Sequence, residues 1–345
     1  MEILLSPPKH YSICYVRVLI TGAAGFIGQS LSKSLLQEGC SVLAVDSMNS
    51  YYSTKLKQLR LLELFELSEK DRFTFSQLDL CDNKAERLIR DFQPDSIYHL
   101  AAQPGVRLGL AGAEEYSRNN VEAFLKIIGI AVNAEVKNFL YASSSSVYGV
   151  SNSIPFREND FLLRPNSIYG VTKLANELFT STVCGSGLKC RGLRFFSVYG
   201  PKGRPDMAYF KAIAASVLQV NFYKNGTGVV ARDFTFIEDV IESIILLERE
   251  LQNRPSGFSD VINIGGGKPI TINDLIDTVT RKTGRSLQVV ERQAIKEDLP
   301  LTRADYSYLE RLIGKDKFVD FDIGIGKTID WMLQYKSSEI REWLG

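Results

Sequence analysis

Histidine is nearly missing from this chain, with two residues among 345, and the five cysteines Cys14, Cys40, Cys81, Cys184 and Cys190 are scattered without a C-x-x-C pair. These shortages argue against a zinc ligand set and against the disulfide framework of a small secreted domain. No metal is expected, and the thiols are expected to be reduced, as in a cytoplasmic protein. Long apolar runs are missing too: Met1 to Tyr15 holds only Ile3-Leu4-Leu5 before Pro7-Pro8. That is too little for a signal-peptide core or a membrane span, so residues 1–15 are expected to form an irregular N-terminal extension. There is no block of like charge, since 41 basic residues face 40 acidic ones. Neither nucleic acid nor a membrane is therefore indicated as a partner, and any phosphate must be gripped locally. Internal repeats and low-complexity linkers are absent as well.

What is present is a 45% hydrophobic composition, enough for a sizeable core. Val16 to Ile20 reads as a strand, followed by a glycine-rich turn and apolar positions Phe26, Ile27, Leu31, Leu35 and Leu36 at helical spacing. Further strand-like runs cover Ser41 to Val45, Phe73 to Leu78, Ser96 to Leu100 and Phe139 to Ala142. Helices are expected between them, over Lys84 to Asp91 and Glu114 to Asn133. This alternation predicts an α/β fold with a doubly wound parallel sheet. After Gly149, Pro155, Pro165, Pro201 and Pro205 break the pattern, although Leu193 to Phe196 still reads as a buried strand. A smaller mixed α/β C-terminal lobe is placed there, with a strand from Ile262, the Gly265-Gly266-Gly267 run and later helices. Thr271-x-x-Asp274 is a helix-start signal, with the helix opening at Thr271 or Asn273.

The turn Gly22-Ala-Ala-Gly25-Phe-Ile-Gly28 lies between a strand and a helix, where backbone can approach a pyrophosphate over the positive helix end. Asp46 closes the second strand, where a carboxylate accepts hydrogen bonds from the adenosine ribose and repels a 2′-phosphate; this selects NAD over NADP. A strand-end turn is the other reading of Asp46. Asp79-Leu80, after the next strand, fits the adenine edge or a solvated turn equally. The boundaries that follow are 16–193, mainly an NAD-binding Rossmann domain, and 194–345, mainly a substrate lobe, with the chain crossing between them. Tyr169-Gly-Val-Thr-Lys173 sets a phenol and an ammonium on one helix face, where the cation can stabilise a phenolate. Ser143-Ser-Ser-Ser-Val-Tyr-Gly149 places a hydroxyl cluster just after a strand.

With these motifs the chain resembles the extended short-chain dehydrogenases acting on nucleotide sugars, from Arg17 to about Trp331. The resemblance rests on the glycine turn, His99-Leu-Ala-Ala102, the serine stretch, Tyr169-x-x-x-Lys173 and Arg232-Asp-Phe-Thr-Phe-Ile-Glu-Asp239. It implies that Tyr169 is the acid/base, that Lys173 orients it and the nicotinamide ribose, and that Ser144 hydrogen-bonds the reacting hydroxyl. It further implies that NAD lies along Gly22, Gly25, Phe26, Ile27, Gly28, Asp46, Asp79, Leu80, Leu100, Ala101 and Ala102, with His99 structural. A homodimer through the helices Glu114 to Asn133 and Tyr169 to Cys184 is implied as well.

Within that superfamily, Ala101-Ala-Gln-Pro-Gly-Val-Arg107, Asp46-x-x-Asn49-x-Tyr51-Tyr52 and Arg194-Phe-Phe-Ser-Val-Tyr-Gly-Pro-Lys-Gly-Arg-Pro-Asp-Met207 are similar to UDP-glucuronate 4-epimerases. Threonine is usual there in place of Ser197, and tryptophan in place of Lys202. Both departures fall on the loop expected to face the sugar and leave the substrate open. The implied reaction is oxidation at C4, rotation of the ketone and hydride return. Gln103, Arg107, Ser144, Ser145, Ser146, Ser197, Arg204 and Arg232 are the candidates for the UDP-sugar. Ser145, Ser146 and Ser197 would hold a C6 carboxylate, and the arginines the diphosphate, sugar or ribose. Dehydratases carry an Asp-Glu pair where Ser145-Ser146 stand, and decarboxylases a glutamate at the second position; the absence of both acids favours epimerisation. A UDP-hexose epimerase, a keto-sugar-forming relative and a non-catalytic NAD-binding module remain the alternatives.

Overall fold

Consecutive residues of the first strand serve opposite faces of one sheet. Val18 and Ile20 pack into one core and Leu19 into another, and all three are buried. A strand buried on both faces reads as a continuous apolar run, as this one does. The computed structural model describes residues 16–67, 72–106, 108–150, 153–294 and 299–345. The expected extension 1–15 and Arg107 lie outside the described residues, as do Cys14 and the side chain of Cys184.

In chain order the first domain runs β1 (Arg17–Thr21), α1 (Phe26–Gln37), β2 (Ser41–Asp46), α2 (Thr54–Leu67), β3 (Phe73–Gln77), α3 (Lys84–Phe92) and β4 (Ser96–His99). It continues with α4 (Ala113–Tyr116), a π-helical segment Ser117–Glu122, α5 (Ala123–Asn133), β5 (Asn138–Ser144), α6 (Ile168–Thr182) and β6 (Lys189–Phe195). The helix expected over Glu114 to Asn133 is thus present but widened at its centre. There the buried Asn120 turns from the helix to hold the loop after β4, accepting from Gln103 N at 2.7 Å and donating to Gln103 O at 3.1 Å.

Beyond β6 come β7 (Ser197–Tyr199), α7 (Ala208–Leu218), β8 (Asn221–Asn225), β9 (Ala231–Phe236), α8 (Ile237–Gln252), β10 (Ser259–Ile264) and β11 (Pro269–Thr271). The chain ends with α9 (Ile272–Thr283), β12 (Gln288–Arg292), α10 (Ser307–Ile313), α11 (Phe321–Met332) and α12 (Ser337–Leu344). Helix α9 opens at Ile272 with Thr271 as N-cap, and the reciprocal Thr271–Asp274 bonds form a capping box.

The main sheet has seven strands in the order β10-β6-β5-β4-β1-β2-β3, every neighbouring pair parallel. This is the doubly wound Rossmann arrangement, with its strand order reversing between β1 and β4. β10 joins the sheet beside β6, and α8 packs against α1, so the chain returns to the first domain after entering the lobe. The lobe holds the small sheets β11-β9-β7 and β12-β8. Between lobe and sheet, at the carboxyl ends of the strands, opens a cavity of about 910 Å³. No helix among the described residues is long and apolar enough to cross a membrane.

Candidate active site

The floor of the cavity is the glycine turn. Gly22 adopts φ +70°, and a Cβ there would stand 2.7 Å from Ala101 N, so only glycine lets β1 turn this tightly beside the loop after β4. The N-cap of α1, Gly25, provides no side-chain bond, which leaves the first-turn amides of Phe26, Ile27 and Gly28 at the cavity wall for an anion. Asp46 is buried beside them and fixed by Ala24 N at 3.1 Å and Met48 N at 2.8 Å. Leu80, Leu100, Ala101 and Ala102 complete the wall. A tight turn, free helix-end amides and an oriented carboxylate fit a dinucleotide pyrophosphate and ribose. Asp79 also lines the cavity, but its carboxylate is already engaged by Arg118 at 2.9 Å and Cys81 N at 2.8 Å.

The hydroxyl cluster lies at the far end. Ser144, at the tip of β5, accepts from Ser146 N at 3.1 Å and donates to Ser146 Oγ at 3.1 Å, and it lines the cavity with the Tyr169 phenol, whose pKa its hydroxyl lowers. Helix α6 begins against this strand tip, capped by Ser167, which accepts from Gly170 N at 3.1 Å. A Cβ on Gly170 would sit 2.6 Å from Ser146 O. That close approach brings Tyr169 to Ser144.

One turn on, Lys173 is 1% exposed, and its ammonium donates to Ala142 O at 2.8 Å, 5.8 Å from the Tyr169 ring centre. Burial brings its pKa down to about 7, opposed by Glu177. Burial also raises the Tyr169 phenol, while the Arg204 guanidinium and the Ser144 hydroxyl draw it back. The sequence pattern points to Lys173 as the cation acting on the phenol; Arg204 brings a further positive charge to it from the lobe. His99 is buried, shares a hydrogen bond with Thr21 at 2.9 Å and packs between Phe124 and Phe139. Burial and then Lys173 lower its pKa to about 3, so it stays neutral.

Ser145, Ser146, Ser197, Arg204 and Arg232 all line the cavity. Arg204 is gripped bidentately by Asp206, at 3.0 and 2.6 Å, with its guanidinium carbon 5.9 Å from the Tyr51 ring centre. Arg232 Nη1 donates to Ala231 O at 3.0 Å and Leu299 O at 2.6 Å. Gln103 is not brought to the cavity: its side chain is buried and donates to Pro104 O at 3.3 Å. Lys202, on the loop expected to face the sugar, does not line the cavity. Its ammonium pairs with Glu63 of α2, behind the loop.

Several groups escaped the sequence reading. Lys57, Asp206, Lys211 and Arg292 line the cavity, with Arg292 stacked 3.7 Å from the Tyr223 ring centre. Beneath the serines, Glu177 forms a fork with Arg194 at 2.9 and 2.8 Å and accepts from Ser143 at 2.5 Å. Arg194 also donates to Tyr148 Oη at 2.8 Å, which donates to Asn263 at 2.7 Å. The signal for Glu177 was its place one turn beyond Lys173 on the same helix face. Nothing local marks Arg292.

A family described as "NAD dependent epimerase/dehydratase family" matches residues 18–265. The chain belongs to this family. Among its relatives, a UDP-glucuronate 4-epimerase of Thermodesulfobacterium geofontis is 35% identical over 316 residues, covering 91% of this chain and 95% of that protein. Protein CapI of Staphylococcus aureus is 35% identical over 337 residues, covering 93% and 99%. The crystal structure of UDP-glucuronic acid 4-epimerase from Bacillus cereus in complex with UDP-glucuronic acid and NAD is similar at TM-score 0.85 and 30% identity, covering 92% of this chain and 99% of that one. As a member of the NAD-dependent epimerases, the chain is an NAD-dependent nucleotide-sugar epimerase on a Rossmann fold.

Proposed function

We propose that this epimerase interconverts UDP-glucuronate and UDP-galacturonate. The observation that carries the reading is that Ser144, Tyr169 and Lys173 meet beside an acid-free serine tip, in one cavity with the glycine turn and Asp46. Relatives that act on UDP-glucuronate, and a structural neighbour holding it with NAD, support it.

NAD, when bound, takes the C4 hydride and gives it back. Tyr169 removes the proton of the C4 hydroxyl and returns it after the ketone has turned over, so the acid and the base are the same phenol. Ser144 orients that hydroxyl by hydrogen bonding. Lys173 is placed by Ala142 O to hold the ribose side of the site and to add positive charge behind Tyr169. Ser145, Ser146 and Ser197 donate neutral hydrogen bonds to the C6 carboxylate. With a C4 ketone that carboxylate belongs to a β-keto acid, and no carboxyl group stands at Ser145 or Ser146 to assist elimination or loss of carbon dioxide. Arg204 and Arg232 serve the diphosphate and ribose.

Incubating the purified protein with UDP-glucuronate, without added NAD, and following the products by NMR tests the reading. UDP-galacturonate is expected; a keto sugar, a pentose or no product contradicts it. We also propose a homodimer, supported by Leu125 of α5 and by Val171 and Leu178 of α6, which stand 45%, 54% and 62% exposed on neighbouring helices. Light scattering of the eluted protein should give twice the chain mass. The thiols of Cys40 and Cys81, neither in a disulfide, support a cytoplasmic setting.

A further inference from the structure

Arg60 lies in the middle of α2 and is fully buried at 0% exposure, yet among the described residues no carboxylate pairs with it. All its partners are neutral. Nη1 donates to Ala24 O at 3.0 Å, inside the glycine turn, and to Tyr52 Oη at 2.6 Å, on the cavity wall. Nε and Nη2 donate to Lys202 O at 3.0 and 2.7 Å, and Nη2 to Gly203 O at 3.0 Å. One rigid guanidinium thus joins the turn that faces the pyrophosphate to the last two carbonyls before Arg204. Arg60 itself does not line the cavity.

A buried cation without an anion is costly, and an apolar side chain of similar volume generally serves stability better. What the fold gains here is geometric. The loop between β7 and α7 is also held by its own turns, Gly203 N to Gly200 O and Met207 N to Arg204 O, both at 3.2 Å, by the Arg204–Asp206 fork, and by the Lys202–Glu63 pair to the same helix α2. Arg204, in the middle of that loop, acts on Tyr169. A bound pyrophosphate dianion above the turn supplies the negative charge that Arg60 lacks, and it fixes the turn whose carbonyl Arg60 grips.

We propose that Arg60 is a positioning residue that couples the cofactor turn to the substrate loop, so that cofactor occupancy tightens nucleotide-sugar binding. Ordering of the Ala24 carbonyl fixes the guanidinium, which fixes the carbonyls of Lys202 and Gly203 and with them the direction of Arg204. By linkage the nucleotide sugar tightens the cofactor by the same factor. The proposal rests on the reading of the cavity as one that takes NAD and a UDP-sugar together.

The test is calorimetric titration of UDP, which occupies the nucleotide end without turnover, into NAD-loaded and NAD-stripped protein. In the wild type the loaded form is expected to bind UDP at least about fivefold more tightly than the stripped form. In Arg60→Met the ratio of the two dissociation constants should fall to near one, with both forms folded by circular dichroism. A merely structural role weakens UDP in both forms alike and preserves the ratio, which would overturn the proposal, as would a ratio of one in the wild type. Should Arg60→Met fail to fold, Arg60→Lys keeps the charge but cannot span all the carbonyls; an intermediate ratio supports the coupling and an unchanged one refutes it. UDP that binds neither form removes the nucleotide-sugar reading, and this proposal with it; UDP that binds both equally removes this proposal alone.

Discussion

Lys173 brings a charge into a place where charge is disfavoured, and this has a consequence in solution. Its pKa is 10.5 in the unfolded chain and about 7 in the cofactor-free fold, so between those values the unfolded chain holds the extra proton. Stability of the cofactor-stripped protein should therefore rise with pH from about 7 to 10.5, with the full penalty present below that window. Lys173→Met is expected to flatten this slope in urea titrations at a series of pH values, while abolishing most turnover. Tyr169→Phe should lower kcat by about 100-fold or more, because the proton of the C4 hydroxyl then has no acceptor, and should leave KM within a few-fold. The residues behind both predictions were legible in the sequence because their partners lie one helical turn away or at the end of an adjacent strand. The pull of Arg204 on Tyr169 was not. It arises where the lobe meets the sheet, across a separation that no local pattern encodes.

Helix α6 owes its register to a contact rather than to propensity. Gly170 lets it settle against Ser146, and Gly170→Ala should push it away by a few tenths of an ångström or more, moving Tyr169 away from Ser144. A loss of about 10- to 100-fold in kcat is expected, with NAD content unchanged, measurable by single-turnover kinetics and by cofactor release on denaturation. In the lobe, Thr271→Ala removes the α9 cap and should cost about 1 kcal/mol in denaturant unfolding without changing turnover. The elements the sequence revealed are those with two-sided burial, such as β1, or explicit punctuation, such as the α9 cap. Helix α2 was hidden because buried Leu56, Leu61 and Leu64 share it with buried Lys57 and Arg60 and with exposed Leu62 and Phe65. Strands β8 and β12 were hidden because they form a separate two-stranded ribbon, and β12 lies exposed at every position.

At the scale of the whole molecule, the sheet offers the cofactor its strand ends and the lobe closes over them, so that a hydride leaving the sugar has one acceptor and one place to return. The parallel, doubly wound character of the first six strands followed from the alternation of strand and helix. The seventh strand did not, because β10 arrives after an excursion through the lobe. Arg60 belongs to this scale as well: its partners at 24, 52, 202 and 203 meet only once both domains have formed. In the proposed mechanism the hydride removed from C4 is the one given back, and the carboxylate is retained. UDP-glucuronate carrying deuterium at C4, incubated with the purified protein in ordinary water without added cofactor, tests it most directly. UDP-galacturonate with the deuterium still on C4 and no released carbon dioxide is expected; loss of the label to solvent, or label retained in a decarboxylated sugar, would overturn the mechanism.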